Sequence, residues 1–354
     1  MSIFAGILRV EDTNTALTAI DPQAISEGIG LVLARFQTER NTLQGLFVDS
    51  ETDQYSERVR GGGFDEGQEI GPDGRPLETY VGGMYDVAFP LKRIGWALGW
   101  NDETFARMTV ADLDREVASK TGGNAKRHMR EIFRALMLKD NFTFVDELRG
   151  SLTIRRLANS DGTLYPPLTS ATDEAQDNHY LVSGYAAGSM SATNNPFVTL
   201  ANEVREHFGT TTRVVAFINT AQRTQVLTLL PNFTDVRVEG VTPAFGESEA
   251  INPGLAVPGD FLGVDDDSGV YVYVYDRVPA DYIVGGAIDQ ARPLRRRVPA
   301  EASLRGFTVR AEETHFPFYK RTWIERFGYG VANRVSWAAM QLTTNGTYTD
   351  PAGL

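Results

Sequence analysis

The sequence predicts an α+β fold, and three stretches carry that prediction. Residues Thr104 to Asp140 hold the longest helical pattern, with Met129, Ile132, Phe133, Leu136 and Met137 at the spacing of one apolar helix face. Between 197 and 230 a helix, a short apolar strand and a second helix follow one another. From 46 to 100 the chain turns extended, with apolar residues alternating on its return leg. A long helix, a central sheet and a ribbon without a core of its own make an α+β chain.

Taken in order, the first forty-odd residues read as an arm with one helix: Ile25, Ile29, Val32, Leu33 and Phe36 form an apolar face after Asp21-Pro22. The ribbon goes out from Leu46 to Val59 and turns through Arg60-Gly61-Gly62-Gly63 and the acidic stretch to Gly71-Pro72-Asp73-Gly74. It returns through Tyr85, Val87, Phe89, Leu91, Ile94, Trp96, Leu98 and Trp100. A two-stranded ribbon is at best marginally stable in water, so this one is expected to lie on another surface, a neighbouring subunit above all.

The long helix is expected to start at Thr109, which with Asp112 three residues on resembles a capping arrangement. Phe105, Met108, Leu113 and Val117 continue its stripe more thinly. Gly122 and Gly123 each cost about 1 kcal/mol relative to Ala inside a helix. Either one helix bends there or two meet, with Asn124 capping the second. The narrow stripe suits a strut lying across a sheet.

Leu152 to Leu157 reads as a strand, Asn159 to Gly162 as a turn, and 166 to 195 as loop with one short helix. Phe197, Leu200, Ala201, Val204 and Phe208 mark a helix that Gly209 stops. Arg213 to Ile218 is a buried strand, and Asn219-Thr220 caps a helix carrying Val226, Leu227 and Leu230 up to Pro231. Residues 236 to 262 look irregular. Val270 to Tyr275 is a strand, and Gly306–Arg310, Thr322–Phe327 and Val331–Leu342 are the closing ones. No repeat recurs at a fixed period, against solenoids and propellers.

Composition narrows the class. The chain has 354 residues, 42% of them hydrophobic and 23% charged, enough for two domains or one domain with large insertions. No run of about 18 uncharged apolar residues suggests a membrane span, and the opening MSIFAGILRVEDTNT makes a poor secretion signal. Without cysteine there are no disulfides, thiolate chemistry or cysteine zinc sites. A net charge of -12 argues against a surface that grips nucleic acid all over while permitting a local basic patch.

The search for chemistry ends without a catalytic or cofactor constellation. His128, His179, His207 and His315 fall in unrelated segments without the spacing of a metal motif, and His128 and His207 read as surface or boundary residues on helices. Asp265-Asp266-Asp267-Ser268-Gly269 resembles the start of a calcium loop but lacks the later Glu, so it reads as a solvated turn. The glycine runs lack the Lys-Ser/Thr of a phosphate loop and read as hinges. Arg292, Arg295, Arg296 and Arg297, with Arg305 and Arg310 beyond, form the densest basic stretch, a solvated or intersubunit face more than a nucleic-acid one.

The order of elements resembles the major capsid protein of tailed bacteriophages, the fold shared with encapsulin shells. Three phrases carry the likeness: VVAFINTAQRTQVL (214–227), RVPADYIVGG (277–286) and RFGYGVANRVSWAAMQL (326–342). The resemblance implies an N-terminal arm at 1–48, an extended β-hairpin loop at 49–92, a peripheral domain with its spine helix at 93–165, an axial domain at 166–285, and return strands of both domains at 286–354. It also implies a non-enzymatic subunit of an icosahedral shell around double-stranded DNA, found in the virion and assembled in the host cytoplasm. Partners would be copies of itself in hexamers and pentamers, a scaffolding protein, a portal, a decoration protein and DNA held without sequence readout, with no membrane. Arg58, Arg60, Gly61, Gly62, Gly63 and Arg75 then become candidates for intersubunit contact through the loop, and Arg292, Arg295, Arg296 and Arg297 for an inner wall or an intersubunit face. Because no lysine precedes Lys92, covalent crosslinking through the loop is not expected. The alternatives are an encapsulin-type compartment around cargo protein and, from another class, an α+β enzyme or ligand-binding protein with a pocket of convergent polar groups.

Overall fold

The computed structural model describes residues 13–20, 22–60, 74, 84–165, 177–229, 232–235, 259–313 and 318–354. Among the described residues the first α-helix and strands are α1 (Pro22–Gln44), β1 (Val48–Thr52), β2 (Ser56–Arg60), β3 (Met84–Ala88) and β4 (Lys92–Asn101). Helices α2 (Asp102–Arg107) and α3 (Val110–Met137) come next, then β5 (Phe142–Asp146), β6 (Gly150–Ile154) and β7 (Tyr180–Val182). After α4 (Pro196–Phe208) come β8 (Val214–Ile218), the short α5 (Arg223–Val226), β9 (Phe233–Asp235), β10 (Asp260–Asp265) and β11 (Val270–Val274). The last strands are β12 (Tyr282–Ala287), β13 (Leu294–Arg297), β14 (Thr308–Glu313), β15 (Phe318–Val331) and β16 (Trp337–Gln341). No helix among the described residues is long and apolar enough to cross a membrane.

The spine helix α3 starts where its sequence says it should. Thr109 accepts from the Asp112 amide while the Asp112 carboxylate accepts from the Thr109 amide, a complete capping box. It then runs unbroken for 28 residues through Gly122 and Gly123, so Asn124 caps nothing. Packing on both sides of the glycine pair outweighs their propensity cost. Val110, Leu113 and Val117 pack with the five apolar residues of α1 and with Leu98, Phe307 and Trp323, whereas Met129, Ile132, Phe133, Leu136 and Met137 enter the main core.

That main core lies between the spine and a seven-stranded sheet in the order β7-β16-β12-β8-β11-β10-β9. Strand β8 is wholly buried and shows why the apolar run Val-Val-Ala-Phe-Ile is a strand. Alternate side chains serve two cores: Val215 and Phe217 face the spine, and Val214, Ala216 and Ile218 face the cluster built on α4. The glycine pair in β12 is required by closeness. A Cβ on Gly285 would meet the Val215 carbonyl oxygen at 2.4 Å, and one on Gly286 the Trp337 ring at 2.3 Å.

A second sheet is organised by β15, which is one strand of 14 residues and does not stop at Phe327. It pairs with β4 from Phe318 to Phe327, with β14 from Lys320 to Ile324, and with β13 from Gly328 to Val331; β13 pairs in turn with β1, in parallel. The ribbon is therefore shorter than its alternation suggests. Its return leg breaks at Phe89-Pro90-Leu91, and β4 belongs to the body, so the hairpin proper is β2 against β3. The strand expected at 152–157 is the second arm of another hairpin, β5–β6.

Candidate functional site

Two adjoining hairpins carry three of the five large hydrophobic side chains that are exposed among the described residues. In β3, Tyr85 and Val87 are buried with Phe89, Ala158, Tyr165, Ala332 and Val335, so the base of the ribbon rests on its own body. The Tyr85 hydroxyl donates to the Ala332 carbonyl (3.2 Å). Beneath it the buried Arg334 donates to the carbonyls of Arg156 (2.6 Å) and Leu157 (3.1 Å) and pairs with Asp161 (3.0 Å). Burial pushes the Asp161 carboxyl up, but Arg334 and Thr163 outweigh it and hold the group far below the usual carboxylate range. The β5–β6 hairpin packs Leu152 and Ile154 on Ala88, with Tyr55, Phe142 and Phe144 alongside. Outward, Met84 (62% exposed), Val145 (74%) and Leu148 (87%) are left in water.

Of the loop residues expected to meet a neighbour, Arg58 forms a fork with Asp86 directly across the ladder (2.9 and 3.2 Å), both side chains exposed. Arg60 ends β2. Gly61, Gly62, Gly63 and Arg75 lie outside the described residues.

Within the arginine stretch Arg296 and Arg297 are buried in β13 rather than solvated, and Arg292 and Arg295 are half-buried. Arg295 pairs with Glu57 of β2 (2.6 Å), and Arg296 with Glu51 (2.8 Å) and Glu325 (2.9 Å). Arg297 reaches Asp146 (2.7 Å) and the Phe89 carbonyl (2.9 Å), and Arg292 donates to the Ile288 carbonyl (2.6 Å). The guanidiniums are engaged by carboxylates and carbonyls of the same chain, most of them far away in sequence, which no local reading of charge density reveals. They fasten β13 to the ribbon base and to the β5–β6 turn.

A polar seam crosses the middle of the spine. The buried Glu325 accepts from Asn124 (2.7 Å) and Arg296 (2.9 Å) and faces His128 Nε2 at 2.9 Å. His128 Nδ1 lies 2.6 Å from the Tyr329 hydroxyl, which donates to Gln44 (2.9 Å), and its ring stacks on Phe327 with centroids 3.6 Å apart. So His128 is fully buried, not a surface or boundary residue. A polar stretch, Thr121 to His128, between two apolar stripes was the available signal. Beside the seam Lys92 pairs with Glu131, which Arg127 also meets at 2.8 Å. Burial raises the Glu131 carboxyl, yet Lys92, Arg127 and Arg134 leave it below its ordinary value. A cleft of about 300 Å³ here, lined by Lys92, Glu131, Arg134, Arg156 and Tyr329, has these charges already engaged with one another or with backbone.

Two further expectations change. His179 and His207 are not in unrelated places: their Nε2 atoms lie 3.2 Å apart. His315 falls outside the described residues. Asp265 is buried rather than solvated, accepting from the Ser268 amide (3.0 Å) and Asn195 (2.8 Å), and it closes the β10–β11 turn.

No protein-family model and no curated protein matches this sequence. Solved structures do match. A chain from a structure of Mycobacterium phage Patience superposes with a TM-score of 0.68 at 17% identity, covering 96% of this chain and 93% of that one. The capsid of the Cyanophage P-SCSP1u gives a TM-score of 0.52 at 9% identity over 86% and 89%, and the capsid of a native GTA particle 0.50 at 12% over 86% and 90%. The chain has the phage major capsid protein fold.

Proposed function

We propose that this chain is the subunit of a closed icosahedral shell enclosing double-stranded DNA, the major capsid protein of a tailed phage. The observation that carries the reading is the superposition along nearly the whole of both chains with the phage Patience structure. The exposed apolar ends of the two hairpins support it, since they offer contact area that the subunit leaves unused. In this reading the extended loop at 49–92 lies over the adjacent subunit, 93–165 is the peripheral domain and 166–285 the axial domain at capsomer centres. Heterologous contacts of modest strength, closed into rings, give hexamers and pentamers. Scaffolding, portal and decoration proteins would be the partners of assembly.

The test is negative-stain microscopy of the full-length chain, purified alone and after co-expression with its genomic neighbours. Closed shells are expected, carrying nucleic acid when packaging proteins are present. A small defined oligomer under both conditions would overturn the reading, and shells filled with a protein cargo would move it to an encapsulin-type compartment.

A further inference from the structure

Asp177, His179 and His207 form a cluster that the shell reading does not use. Asp177 and His179 are two residues apart on the extended segment entering β7, and so share one side of it. His207 is on the last turn of α4, 28 residues further on. Three elements bring them together: β7, α4, and β16, whose Trp337 carbonyl holds His179 Nδ1 at 2.8 Å.

The donors converge on one point. The two Nε2 atoms are 3.2 Å apart, Asp177 Oδ1 is 3.4 Å from His179 Nε2, and Asp177 Oδ2 is 3.3 Å from His207 Nε2. Ligands about 2.0–2.1 Å from a tetrahedral zinc ion stand about 3.4 Å from each other, so the cluster is already close to the dimensions of a bound ion. A carbonyl can only accept, so His179 Nδ1 carries the proton, and in the neutral ring the Nε2 lone pair is turned inward. This is the outer-sphere arrangement that orients metal-binding histidines. Asp177 and His179 are buried, and Asp177 Oδ2 accepts no hydrogen bond from the described residues. The carboxylate therefore needs a positive charge, and within the cluster only the imidazoles face it. Glu203, one turn before His207 on α4, adds a second negative field at His179.

We infer that Asp177, His179 and His207 bind a divalent transition-metal ion of the zinc class, stapling the start of β7 to the end of α4. Two imidazoles among three donors disfavour magnesium and calcium, which prefer all-oxygen shells. Three protein ligands leave a further position for water. The staple would hold the small strand β7, paired among the described residues with β16 alone, against the helix that covers that sheet.

The experiment uses the full-length chain, stripped with a chelator and titrated with Zn²⁺ and Co²⁺, with Mg²⁺ and Ca²⁺ as controls. One Zn²⁺ per chain should bind and raise Tm by about 4 °C at a hundredfold excess over Kd. Co²⁺ should develop the visible absorption of a four-coordinate site with nitrogen ligands. His207→Gln should abolish both responses, while lowering the metal-free Tm because it removes one of the two imidazoles that face the buried Asp177 carboxylate. Absence of Co²⁺ bands in the unaltered protein would overturn the inference without recourse to any variant and leave a hydrogen-bonded Asp-His-His cluster. An equal Zn²⁺ response in His207→Gln would also overturn it.

Discussion

The seam around β13 and the rim of the two hairpins are both charged, β-rich and close together, yet they solve opposite problems. At the seam every arginine finds a partner in its own chain: Arg295 takes Glu57, Arg296 takes Glu51 and Glu325, and Arg297 takes Asp146. At the rim the Arg58–Asp86 fork stands in water, and Met84, Val145 and Leu148 are mostly exposed. Charge density alone does not say whether a segment faces outward. What decides it is whether distant carboxylates are brought to meet it. Seam changes should therefore cost stability, and rim changes should cost assembly while sparing the fold.

The largest effect is expected in the body beside the seam. Leu136→Asp buries an unpaired charge in the main core, and no folded soluble subunit should be recovered; near-normal thermal stability would contradict the packing of the spine. Next, Glu325→Ala removes the shared acceptor of Asn124, His128 and Arg296 and should cost about 3–5 kcal/mol in urea unfolding. A loss below 1 kcal/mol would mean that the seam is not held by its charges.

Acid should weaken the seam as well. Burial raises the Asp146 carboxyl, but the Leu148 amide and Arg297 outweigh it, and Glu131 and Asp161 are likewise held low. Since folded values lie below the unfolded ones of about 3.9 for Asp and 4.3 for Glu, their stabilisation is complete above that range. It is lost as pH falls through the lowered folded values. The urea midpoint should drop progressively below about pH 5, and a flat midpoint down to pH 3 would break the argument.

Smaller still in stability are the rim changes. Leu148→Asp should shift unfolding by no more than about 0.5 kcal/mol and reduce particle yield in sedimentation. If particle yield is unchanged, that end is not an interface. Arg58→Ala should leave Tm unmoved, because a pair so exposed contributes little.

Much of the fold was legible from local signals. The apolar face of α1, the Thr109–Asp112 capping box, the buried run of β8 and the Asn219 cap all appear where their residues put them. What escaped depended on long-range partners. Leu-Arg-Arg-Arg has no strand alternation, and it becomes β13 because β1 and β15 supply its ladder and distant carboxylates its charges. Likewise Tyr85 and Val87 looked like an unsupported ribbon until Ala158, Tyr165 and Val335 arrived beneath them. The His179–His207 pair was invisible for the same reason, since a lone histidine in a sequence carries no sign of what will face it.

The most direct test of the division between a saturated body and an unsaturated rim is removal of Gly61 to Gly74, followed by circular dichroism of the subunit and electron microscopy of its assemblies. A subunit with unchanged secondary structure and melting but few or no closed shells is the predicted result. Shells indistinguishable from those of the intact chain would contradict it.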